Sequence, residues 1–184
     1  MREGGTIPQP SRFVFAHVII LERALQGVSA ASLARFARRA QKLAGFRGEV
    51  NVLISGNRRL QELNRQFRGK DRPTDVLSFP TNGEDNAGGD IAISAELARS
   101  NAARYRHSSS DELRILILHG MLHLAGHDHE TDGGRMAKLE ARLRSQLKLP
   151  GSLIERAASD GRNDRRLKKR SAARRKPVPR RRPR

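Results

Sequence analysis

The sequence predicts one α+β domain, a small mixed sheet packed with helices, followed by a basic arm. Three observations predict it. The chain has 184 residues, the usual span of one domain, and 36% of them are apolar, enough for one core once a polar tail is set aside. Short runs rich in β-branched and aromatic residues mix with segments of helical apolar spacing, without the strict strand–helix alternation of a parallel sheet. Last, residues Arg162 to Arg184 hold 13 Lys and Arg against one acid, Asp164, so this stretch carries +12 of the net +18. It has almost no apolar side chains to offset its ordering entropy, and it holds Pro177, Pro179 and Pro183, which predicts disorder. The domain is placed at residues 1–155 and the disordered basic tail at 156–184.

Taken in order, Phe13–Ile20 reads as a buried strand, being rich in β-branched and aromatic residues. Ser29 or Ser32 caps a helix to about Leu43, with Leu33, Phe36, Ala37, Ala40 and Leu43 on its inner face and Arg35, Arg38, Arg39 and Lys42 outside. Glu49–Ser55 reads as a strand, Asn57–Phe67 as a helix, and Val76–Pro80 as a short strand that the proline ends. A polar, glycine-rich loop leads to a strand at Asp90–Ser94 and a helix to about Arg104. Asp75 and Asp90, at strand starts, read as turn formers, with a site role as the lesser alternative. The next helix opens on a capping box of Ser109 and Glu112 and is apolar on nearly every side from Leu113 to Leu118, as a buried helix is. A last amphipathic helix spans about Gly134–Leu147, before Pro150.

The composition also excludes some classes. There is no cysteine, so disulfides and thiolate ligands are absent and a reducing compartment fits. Phe13–Leu21 is too short for a bilayer span and lacks a good cleavage site behind it, so we expect a cytoplasmic protein with no membrane partner.

Four of the six histidines fall within HGMLHLAGHDH, residues 119–129, at the end of the buried helix. His119 and His123 lie four apart, which puts both imidazoles on one helical face, able to meet one ion. On a straight helix His127 would lie about 12 Å along the axis from His119, given about 1.5 Å rise per residue, too far to share an ion with bonds of about 2 Å. Gly126 removes the difficulty: a left-handed cap there ends the helix, and His129 swings back as third ligand. Metzincin proteases space their histidines and glycine in this way, but they carry a glutamate base after the first histidine. Here that position is Gly120, which moves no proton. Three histidines without a fourth ligand favour an open metal site over a closed structural one.

HGMLHLAGHDH resembles the H-G-x-L-H-L-x-G-Y-D-H signature of the YbeY endoribonucleases, the bacterial rRNA maturation factors. Two more stretches are similar to that family: LNRQFRGKDRPTDVLSFP (Leu63–Pro80) and GGDIAIS (Gly88–Ser94). The resemblance covers roughly residues 45–145 in the expected order. It implies a metal-dependent endoribonuclease domain with one zinc per chain on His119, His123 and His129, and Arg68 and His119 as catalytic residues. It further implies cleavage of single-stranded RNA, a part in 16S rRNA 3′-end maturation and ribosome quality control, ribosomal RNA and the ribosome as partners, and no small-molecule cofactor. Two departures stand out: His127 replaces the family's usual tyrosine, and the basic tail lies outside the common core.

The residues themselves fit a polyanionic partner. Arg68, with Lys70 and Arg72 after it, offers a guanidinium shaped for bidentate phosphate contact. Arg58, Arg59 and Arg65 lie on the helix before Arg68, and for five of these six cations a solvated surface is the preferred reading. The tail from Arg162 has two readings, a solubilising terminus or an arm on nucleic acid, and the second is preferred because such arms favour polyanions. Asp128 either orients a ligand histidine or caps the turn, and the role of His127 stays open between competing for the metal and serving RNA. The competing reading of the whole chain is a basic ribosome-assembly binding factor with a structural zinc.

Overall fold

Hydrophobic alternation and glycine placement together decide the sheet. The computed structural model describes residues 17–81, 88–129 and 131–150. The described elements run β1 (Ile19–Leu21), α1 (Ala30–Ala44), β2 (Glu49–Ser55), α2 (Asn57–Arg68), β3 (Val76–Pro80), β4 (Gly88–Ser94), α3 (Ala95–Tyr105), α4 (Ser109–Leu124) and α5 (Arg135–Leu147). The strands form one sheet in the order β1-β2-β4-β3. β1, β2 and β4 are parallel, and β3 pairs antiparallel with β4 at the edge, Ser78 opposite Ile91. The sheet is mixed, as the sequence predicts.

Period-two alternation on β2 sends Val50, Val52 and Ile54 to one face, where Ile91 and Ile93 of β4 join them. The apolar sides of α1 and α4 seal this face, with Leu33, Ala37, Leu113, Leu116, Ile117 and Met121 all buried. Each such leucine or isoleucine contributes about 1.5–3 kcal/mol of transfer free energy. On the opposite face α2 covers only the β3–β4 side, through Leu60, Leu63, Leu77 and Phe79. β4 starts on Gly88, whose φ of +107° and closeness to Glu49 (an added Cβ would sit 2.2 Å from its carbonyl oxygen) admit no side chain.

Three expectations change. The strand placed at Phe13–Ile20 is short, Ile19–Leu21, with residues 13–16 outside the described part. It is not buried: Val18 and Ile20 are about half exposed, because β1 is an edge strand and α2 does not reach over it. It ends at Leu21 because Glu22 and Arg23 both donate their backbone N–H to the Ile54 carbonyl. The cap of α4 is Ser108, not Ser109. Ser108 has extended backbone and its Oγ accepts from the Asp111 N–H at 3.0 Å. Glu112, freed from capping, turns inward to His107 at 2.6 Å. The expected tail, 156–184, lies outside the described residues.

Candidate metal centre

From Ile115 to Leu118 every residue of α4 is apolar and buried, and His119, the next residue, is only 5% exposed. Gly120, which follows, packs closely against the β3–β4 pair. A Cβ there would lie 2.9 Å from Ile91 Cδ1 and 3.1 Å from Ser78 Oγ. The position that holds a glutamate base in the metzincin pattern is thus a packing contact in this chain.

One turn on, His123 brings its Nε2 to 3.1 Å from Nε2 of His119, with ring centroids 4.7 Å apart. The helix then stops in a Schellman arrangement. Gly126, at φ +83°, donates its N–H to the His123 carbonyl, and His127 donates to the Leu122 carbonyl, both at 3.0 Å. The reversal places the His129 ring 5.3 Å from those of both other histidines. One ring nitrogen from each of His119, His123 and His129 lies within 4.8 Å of the others. That spacing suits three donors about 2 Å from a shared ion. His127, in the same motif, is outside this group.

The electrostatics of the cluster act on His123. Burial, then the neighbouring His119 and His129, hold the His123 pKa down at about 4, with Asp128 acting in the opposite sense. His123 is therefore a neutral imidazole near pH 7, the form that binds metal. On the far side of the site, Glu140 of α5 places Oε2 3.2 Å from Nδ1 of His119. Sequence reading missed Glu140. Its signal was there: on α5 it shares the buried stripe of Met136, Leu143 and Leu147, and it is the charged member of that stripe.

Asp128 holds the turn that follows the helix. Its Oδ2 accepts from Thr131 Oγ1 at 3.0 Å, and its carbonyl accepts from the N–H groups of Thr131 and Asp132. Asp75 is a turn former too, its Oδ1 accepting from the Val76 N–H at 3.0 Å, whereas Asp90 lies within β4 and accepts from Asn51 Nδ2 at 3.0 Å.

Arg68 is the last residue of α2, followed by Gly69 in a left-handed cap, and Arg68, Lys70 and Arg72 are all exposed. Among the described residues no hydrogen bond or ion pair joins them to the histidines. Their loop is nonetheless fastened. Asn64, 3% exposed, donates from Nδ2 to the Arg72 carbonyl at 2.7 Å and accepts at its own carbonyl from the Lys70 N–H, while Gln61 donates to Asp71 at 2.9 Å. No helix among the described residues is long and apolar enough to cross a membrane.

Comparison with known proteins gives this geometry a context. Residues 19–148 match the family model described as endoribonuclease YbeY. A protein named endoribonuclease YbeY from Koribacter versatilis (strain Ellin345) is 54% identical over 153 residues, 83% of this chain and 100% of the relative. One of the same name from Solibacter usitatus (strain Ellin6076) is 52% identical over 128 residues, 70% of this chain and 86% of the relative. The solution structure of TM1509 from Thermotoga maritima superimposes with a TM-score of 0.51 at 30% identity, covering 71% of this chain and 88% of that one. On these matches, the chain belongs to the endoribonuclease YbeY family.

Proposed function

We propose that this chain is a zinc-dependent endoribonuclease that cleaves single-stranded RNA, with one zinc on His119, His123 and His129. The observation that carries the proposal is the convergence of three imidazoles in a chain of an endoribonuclease family, with His129 on the exposed side. An ion held there supplies a Lewis acid able to polarise a phosphoryl oxygen and lower the pKa of a bound water. The protein supplies the rest. His119 and His123 present ring nitrogens from one helical face, His123 as the neutral imidazole, and His129 closes the set from the turn. Arg68 binds a phosphate of the strand by its guanidinium fork, and Lys70 and Arg72 lengthen that cationic edge. The domain extends to about residue 155, and the arm from Arg162 adds affinity for RNA without sequence preference.

The same reading gives the chain a place in the cytoplasm, with ribosomal RNA and the ribosome as partners, in 16S rRNA 3′-end maturation and ribosome quality control. The rival reading, a binding factor with a structural zinc, wants a fourth protein ligand, and among the described residues three gather at this site. The test is cleavage. Purified full-length protein is given one unstructured RNA and one duplex of matching composition, each with and without a chelator. Cleavage of the single strand alone, stopped by the chelator, is expected. Equal cleavage in the chelator's presence would sink the metal-dependent mechanism.

A further inference from the structure

A fully buried carboxylate needs an explanation, because removing it from water is costly unless a donor meets it. Glu140 is 0% exposed and sits between Met136 and Leu143 on the core side of α5. Its Oε2 is 3.2 Å from Nδ1 of His119, a residue 21 positions earlier and itself almost wholly buried. A carboxylate accepts, so Nδ1 is the nitrogen that carries the hydrogen. The opposite nitrogen, Nε2, then keeps its lone pair, and Nε2 is the atom that faces His123.

We propose that Glu140 is a positioning residue of the metal centre: it holds His119 as the Nδ1–H tautomer, with Nε2 turned to the ion. This inference rests on the metal reading above. It assigns Glu140 no contact with substrate, because the carboxylate lies behind His119, at the ring nitrogen opposite the one that faces His123. The negative charge also strengthens the imidazole as a ligand.

The local sequence explains how α5 delivers this group. The turn that carries His129 is fastened by Asp128 to Thr131 and Asp132. Asp132 in turn accepts from the N–H groups of Gly134 at 2.8 Å and Met136 at 2.6 Å, which starts α5. One continuous segment therefore brings both the third ligand and the partner of the first. From Met136, a spacing of four puts Glu140 on the same inner face.

The experiment uses the full-length chain and its Glu140→Gln, Glu140→Ala and His123→Ala variants. Zinc affinity is read by competition with a chromophoric chelator, and the His119 tautomer by ¹⁵N chemical shifts of the metal-free proteins. Glutamine retains an oxygen that accepts the same N–H, so its tautomer should persist while affinity falls about 10-fold; alanine should lose about 100-fold and mix the tautomers. Affinities and tautomer indistinguishable from the wild type, even with a lower Tm, would make Glu140 a packing residue and overturn the inference alone. Wild-type protein that binds no zinc, or a His123→Ala variant that binds it equally well, overturns the metal reading and the inference with it. Should the alanine variant fail to fold, the glutamine affinity and the wild-type tautomer decide.

Discussion

The histidine cluster and the Arg68 loop resemble one another only in being local. His119 is buried, His123 is held neutral, and a buried carboxylate from another helix backs the first ring. Arg68, Lys70 and Arg72 are exposed and charged, and what is fixed there is the backbone, through Asn64. The difference follows from what each would bind. A metal ligand has to give up its proton, and burial favours the uncharged imidazole. A phosphate contact needs the charge kept, so the cations stay hydrated while the loop beneath them is held. A desolvated region should fail through its side chains, and a hydrated one through its charge or its backbone support.

The largest effect should break the desolvated half. His123→Ala or His129→Ala should weaken zinc binding by more than about 100-fold, beyond what loss of an outer partner causes, whereas His127→Ala should stay loaded. Metal content after dialysis checks this, and a metal-free His127 variant beside a loaded His129 variant would reverse the assignment. Next comes Arg68→Ala. It should keep its zinc and its Tm but cleave about 100-fold more slowly, the scale for removing one charge-stabilising donor. Lysine there should restore only part, lacking the bidentate fork. An early-melting or zinc-poor Arg68 variant would make that residue structural and erase the contrast.

Acid sharpens the comparison. The folded chain keeps His123 neutral down to about pH 4, whereas an unfolded one takes up the proton near 6.5. Between these values the unfolded state binds more protons, so the metal-free protein should lose stability as pH falls from 6.5 toward 4. Denaturant midpoints across that range check it, and His123→Ala should flatten the slope. Asn64→Ala tests the support of the other half: leaving the Arg72 carbonyl without its buried donor should cost about 1–3 kcal/mol, with zinc binding unchanged. The smallest effect belongs to the arm. A chain ending at Gly161 should keep fold and zinc, while the slope of log RNA affinity against log salt flattens by about 0.7 for each phosphate that the arm no longer neutralises. Superimposable salt titrations would remove the arm from binding.

The two halves were not equally legible in the sequence. The histidine cluster could be read because it is contiguous: a four-residue spacing fixes one face of α4, and Gly126 fixes where the helix must stop. β2 and β3 were equally plain, since turn residues bound each apolar run. Long-range choices were not. Nothing local says that β3 pairs antiparallel at the sheet edge, or that β1 lies where α2 does not cover it. Three serines in a row offer α4 the same capping side chain, and only the backbone conformation chooses Ser108. Glu140 and Asn64 act through partners that only the folded chain brings near, so an amphipathic pattern shows them merely as polar residues on buried faces.

If one ion on His119, His123 and His129 makes this fold a nuclease, bound metal and cleavage must rise together. The most direct measurement strips the full-length chain of metal and titrates zinc back, following bound metal and single-strand RNA cleavage together. Cleavage should rise linearly and level off at about one zinc per chain, with His129→Ala inert over the same range. Full cleavage by the stripped protein, or a rate that ignores the first equivalent, would contradict the account.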